Sequence, residues 1–243
     1  GCGDDASGTD AGFVCDLPMS FARGDAVGHP APLGAGPGEA RAGRVGSSDL
    51  PVLDNGLAIY EDGDYVIAND HFALIIEAVD DSDLYDPWGG RPVGLSAVEG
   101  GQMVRPSNFG EFYILTAGQT IMTESVTVLN DGSNGEAAVI RAEGYWTYLP
   151  FTNPVIAGLY RGRYEDMLGS IDYVLEPGSE YVDIFVNYRS PREIEEKVPS
   201  ALHGFMYTKR MRRFTRGHQL HGMPERDAVL LLQLVEAAPA LGQ

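Results

Sequence analysis

The sequence predicts an all-β protein, an antiparallel β-sandwich, on three observations. Runs of four to nine residues rich in Val, Ile, Tyr, Phe and Thr begin at Leu57 and recur along the middle of the chain. They alternate apolar and polar side chains, the period of a half-buried strand. No amphipathic helical repeat separates them, and 31 Gly with 15 Pro among 243 residues is more turn punctuation than a helical bundle tolerates.

Composition divides the chain into a leader (1–50), a β-sandwich domain (51–215) and a tail (216–243) with a short helix. The leader carries charge −4, residues 51–203 carry −17 and residues 204–243 carry +3. Its Gly, Pro and Ala content, with few large apolar side chains, predicts a disordered segment, because little surface is available to offset the entropy of ordering. The stretch from Gly28 to Gly38 reads as its linker.

Within the domain, Tyr65 to Val79 supplies one or two strands, with His71 to Ile76 the most hydrophobic. Met122 to Leu129 and Ala137 to Ala142 flank a Gly-containing loop and form a hairpin. Ile171 to Leu175 and Tyr181 to Tyr188 form another around Glu176-Pro177-Gly178-Ser179-Glu180. Val182, Ile184, Val186 and Tyr188 share one face. In the tail, Ala228 to Val235 lies between Asp227 and Glu236, too short to cross a membrane, and reads as a packed helix.

A net charge of −18 repels phosphate backbones and argues against a nucleic-acid partner. Five bases within Lys209 to Arg216 fit pairing with the acidic body or protection of a strand edge. Two cysteines do not make a disulfide scaffold. There is no Gly-x-Ser-x-Gly elbow, and the glycines from Gly89 to Gly101 lack the order of a phosphate cradle. His218 and His221 stand at metal-ligand spacing without a nearby acid, a weak case.

Asp81, Asp83 and Asp86 offer hard oxygen ligands of the kind Ca²⁺ takes, although the spacing departs from a calcium loop and a solvated acidic loop is the weightier reading. Trp88, Tyr145, Trp146 and Tyr148 stand beside acids and glycines, a mixture that suits stacking on sugar rings. Burial of these rings in the protein's own core is the favoured competitor. Carboxylate pairs Asp64 with Glu143, or Asp83 with Glu99, would be needed for glycoside chemistry.

Two resemblances extend these readings. Gly1-Cys2-Gly3-Asp4-Asp5 resembles the end of a bacterial lipoprotein signal, which implies a lipid on Cys2; an exported chain with Cys2 paired to Cys15 is the alternative. Either route puts the protein outside the cytoplasm, in the cell envelope or periplasm. Residues 62–76 and 172–184 resemble the β-rich region preceding the catalytic domain of secreted bacterial PHP-type metallohydrolases, itself similar to galactose-mutarotase-like supersandwiches. That family's His-x-His metal signature is missing, and no mutarotase-type His and Glu pair can be placed. The expected role is therefore a non-catalytic accessory or binding module for carbohydrate or an envelope protein, touching the membrane only through Cys2 and needing no cofactor. A carbohydrate-active enzyme, or a truncated accessory region of a metallohydrolase, is the alternative.

Overall fold

The computed structural model describes residues 20–50, 60–79, 86–104, 107–108, 111–116, 118–150, 167–190, 200–205 and 231–235. Among the described residues thirteen strands form two sheets, and the all-β antiparallel sandwich expected from the sequence is what they build.

The smaller sheet holds β1 (Arg41–Arg44), β2 (Tyr65–Ala68), β3 (Phe72–Ile76), β4 (Pro92–Glu99) and β5 (Gln102–Met103) in that order, with β6 (Ser107–Asn108) against β4. The larger sheet takes in β7 (Glu111–Thr116), β8 (Gln119–Asn130), β9 (Ala138–Tyr148), β10 (Leu168–Leu175), β11 (Tyr181–Arg189), β12 (Ser200–Phe205) and β13 (Leu231–Val235). Its order is β12-β7-β8-β9-β10-β11-β13. Both expected hairpins are present: β8 pairs antiparallel with β9, and β10 with β11, in continuous register from Leu168↔Arg189 to Val174↔Asp183.

Alternation decides where each side chain goes. Tyr65, Ile67, Leu74 and Ile76 point from the smaller sheet into the main core, where they meet Ile121, Val128, Ile140, Ile171, Tyr173 and Ile184 of the larger sheet. Val66, Ala68, Ala73, Ile75 and Val93 point the other way, into a second core. Strands β2 and β3 are thus buried along their whole length, which is why Phe72 to Ile76 reads as an unbroken apolar run.

The second core corrects the leader boundary. Leu33 and Val45, both inside the segment expected to be disordered, are buried there against the far face of the smaller sheet. Strand β1 pairs with β2 from Arg41↔Ala68 to Arg44↔Tyr65. Residues 20–50 therefore belong to the fold. A sheet apolar on both faces needs a second cover, and this segment helps supply it with Leu33 and Val45, while Ala40 and Ala42 are fully buried on the main-core side. Added to Gly43, a Cβ would lie 2.3 Å from the His29 carbonyl oxygen, so the chain passes too closely for any side chain.

The second correction concerns the tail. Leu231–Val235, expected in a helix, is β13 and pairs parallel with β11 from Tyr181↔Leu231 to Phe185↔Val235. A five-residue apolar run satisfies either period, and the open edge of β11 selects the strand. Residues 1–19, with Cys2 and Cys15, and residues 206–230, with the basic run and His218 and His221, lie outside the described residues. Among the described residues no helix is long and apolar enough to cross a membrane.

Polar ties fasten the two sheets. The Tyr65 hydroxyl donates to the Val126 carbonyl at 2.9 Å, Asn69 Nδ2 donates to the Ser179 carbonyl at 2.7 Å, and the Tyr173 hydroxyl donates to the Gly90 carbonyl at 2.9 Å. The strongest tie is Arg91, whose side chain is 2% exposed. Its Nε and Nη2 donate to Asp86 Oδ2 at 2.8 and 2.6 Å, Nη1 to the Gly89 carbonyl at 2.8 Å, and Nη2 to the Ile121 carbonyl at 2.5 Å. Thr120 and Thr123 complete the ring around it. Gly89 and Gly90 lie in the left-handed region, at φ 71° and 72°, and turn residues 86–90 back toward the larger sheet.

Among the described residues, buried Asp64 is a carboxylate that the fold penalises strongly. Burial pushes its pKa from an ordinary 3.8 to about 6, against the opposing backbone N–H groups of Ala78 and Glu61. The folded protein then holds a proton that the unfolded chain has released. No penalty exists below pH 3.8; it grows from there and is complete above about pH 6, at about 3 kcal/mol. Relative to wild type, Asp64→Asn should gain about that much stability between pH 3.5 and 7. Denaturant titrations at each pH would measure it; parallel curves for the two proteins would contradict the assignment.

Candidate functional site

The outward face of the larger sheet is polar, and its residues are aligned by register. One row runs Ser125↔Glu143↔Ser170↔Asn187 across β8, β9, β10 and β11, and the next runs Thr127↔Arg141↔Asp172↔Phe185. A bulge between Thr123 and Ser125 makes this possible. Without it both would face one way; with it Thr123 turns inward to Arg91 and Ser125 outward to Glu143.

The rows are hydrogen-bonded internally. Arg141 grips Asp172 with two bonds of 2.6 Å, Asn187 Nδ2 donates to Asp172 Oδ2 at 3.2 Å and to the Ser170 hydroxyl at 3.1 Å, and Ser125 donates to Glu143 Oε1 at 3.1 Å. The bonds from Asp172 hold the Arg141 guanidinium protonated beyond its usual range.

Residues 20–25 cross this face as a strap. Asp25 and Val128 exchange two backbone bonds of 2.8 Å, Gly24 N–H donates to the Thr127 hydroxyl, Arg23 binds Glu143, and Arg141 and Arg189 donate to the carbonyls of Ala22 and Ser20. The Phe21 ring lies beneath both guanidiniums, 5.6 Å from Arg141 and 4.4 Å from Arg189. The Arg23 side chain remains 59% exposed.

The expected aromatic platform is split by strand parity. Trp146 points inward, 4% exposed, and stacks on Tyr188 with ring centroids 4.9 Å apart and 8° between the planes. It is a core residue, a correction to its reading as a ligand contact. Tyr148 shares that inward side and is half-buried. Only Tyr145 points outward, 41% exposed, in the row next to Glu143. Trp88 is half-buried on the turn after Asp86, with its N–H 3.5 Å from Asp86 Oδ1.

Asp86 is also corrected as a calcium ligand. It is 1% exposed, and its Oδ2 accepts from Arg91 and Thr120. An internal cation already neutralises it. Asp81 and Asp83 lie outside the described residues. Among the described residues, no three His, Cys, Asp or Glu side chains gather as a metal site would need.

The carboxylate pair Asp64 and Glu143 does not meet. Asp64 shares the side of Val66, toward the second core, whereas Glu143 is on the outward face of the larger sheet, so both sheets and the main core separate them. Sequence reasoning missed Arg91, Phe21, Arg23, Arg141, Asp172 and Asn187. The signal for Arg91 was a lone cation opening an apolar strand, five residues after an aspartate. No protein-family model matches the chain, and no curated protein or solved structure matches it either.

Proposed function

We propose that this protein is a non-catalytic recognition module of the bacterial cell envelope, held to the membrane by a lipid on Cys2, that binds carbohydrate on the outward face of its larger sheet. The observation that carries the reading is Tyr145: a large ring, 41% exposed, fixed on an interior strand beside a row of carboxylate, hydroxyl and amide groups. Such a ring offers a face to sugar C–H groups, and the neighbouring row offers bonding partners for hydroxyls. The separation of Asp64 from Glu143 weighs against the glycoside-processing alternative. An accessory sandwich is also what the resemblance to the metallohydrolase region implies.

A glycan array probed with the full chain tests this. Tyr145→Ala should weaken the strongest signal about tenfold, the equivalent of a lost stacking contact of ~1.4 kcal/mol, and leave the melting temperature unchanged. A wild-type protein that binds nothing on the array would count against carbohydrate; retention of an isolated envelope protein instead, with affinity lost in Tyr145→Ala, would transfer the face to a protein partner.

A further inference from the structure

The two covered sheet faces of this molecule are covered differently. Over the smaller sheet the cover and the sheet are both apolar: Leu33, Val45 and Tyr60 against Val66, Ile75 and Val93. Such a contact stays closed because opening it would expose all of that surface to water. Over the larger sheet the strap meets Thr127, Arg141, Glu143 and Arg189, side chains that water would solvate well. Phe21 is the single large apolar group holding it down.

From this contrast we infer that residues 20–25 form a releasable latch over the recognition face, with Phe21 as its catch between Arg141 and Arg189. The inference rests on the reading of that face as the binding surface and adds its regulation. Closed, the latch occupies the guanidinium N–H groups of Arg141 and Arg189 with the carbonyls of Ala22 and Ser20. Open, it frees those donors for the ligand while Arg141 stays held in place by Asp172. Two guanidiniums on the same sheet face as an exposed tyrosine fit a saccharide bearing carboxylate groups better than a neutral one. Ligand binding and latch closure then compete for the same donors, so weakening the latch strengthens binding.

Amide hydrogen exchange on the full chain tests the latch without any ligand. The Asp25 and Val128 amides, which pair across the strap, should exchange at least about 100-fold faster than the Ile140 amide in the core, reporting opening without global unfolding. Phe21→Ala should speed Asp25 a further tenfold or so. Gly24→Val should act alike through a different contact, since a Cβ at Gly24 would lie 2.0 Å from the Val128 carbonyl oxygen. On an array of neutral and uronic-acid oligosaccharides, both variants should raise the acidic-sugar signal about threefold or more. Exchange of Asp25 at the rate of Ile140 would overturn the latch whatever the array shows. Fast strap exchange with no saccharide bound by wild type or either variant would leave the latch standing and overturn the carbohydrate reading. Acidic-sugar binding that is unchanged or weaker in both variants would overturn the competition.

Discussion

Replacing Arg91 with Ala should cost the protein about 3–5 kcal/mol, because the substitution takes the guanidinium away from a carboxylate, Asp86, that is 1% exposed. The Thr120 hydroxyl would still donate to Asp86 Oδ2 at 3.2 Å and the Trp88 N–H lies 3.5 Å from Oδ1, but neutral donors do not replace the two charged N–H bonds of one guanidinium. The carbonyls of Gly89 and Ile121 would lose their Arg91 donors as well. For a chain of this size a loss of that order lowers the melting temperature by roughly 10 °C or more. Arg91→Ala with Asp86→Ala removes both charges, so the double variant should be less damaged than the two single costs together, by about 2 kcal/mol. Denaturant unfolding of the four proteins measures the coupling. Strict additivity would show that the pair does not fasten the sheets as described.

The second large effect belongs to Trp146. Its removal as Trp146→Ala should cost about 3–5 kcal/mol, the loss expected for a buried aromatic whose site cannot fully collapse. Trp146→Phe should cost much less, because the indole Nε1 has no hydrogen-bond partner to lose among the described residues and the Tyr188 stack tolerates another ring. Any ligand binding should survive the Phe change. Thermal melts and the glycan array together separate the roles: a Trp146→Ala protein of wild-type stability that no longer binds would return this ring to the recognition site.

These two residues also show what the sequence makes legible. Trp146 and Tyr145 are neighbours on a strand, so period 2 alone sends one ring into the core and the other out; treating Tyr145, Trp146 and Tyr148 as one platform ignored the alternation that had identified the strands. The hairpins of β8 with β9 and β10 with β11 were readable because turn chemistry and apolar alternation agree there. The second core was not. Counting large apolar residues in 1–50 misses that Leu33 and Val45 join the second core, and that Ala40 and Ala42 sit in the main core and Gly43 against His29, where small size is the requirement. The Arg91 tie was hidden for another reason: its partners Thr120, Ile121 and Thr123 come from a strand about thirty residues later, and only the sheet stacking brings them together.

The bulge in β8 is equally invisible to a strict two-residue repeat, yet it determines which hydroxyl joins the outward rows. Those rows, not an acidic loop, carry the organised polar chemistry of the described residues. They place a guanidinium, two carboxylates, an amide and a phenol on one stiff surface.

The most direct measurement is chemical-shift mapping of the full chain, titrated with the strongest-binding saccharide from the array. Perturbations should centre on Tyr145, Arg141, Asn187 and Arg189 and spread to Phe21 as the strap lifts. Shifts confined to the turn around Trp88 or to the rim of the smaller sheet, with the Tyr145 row unmoved, would contradict the account.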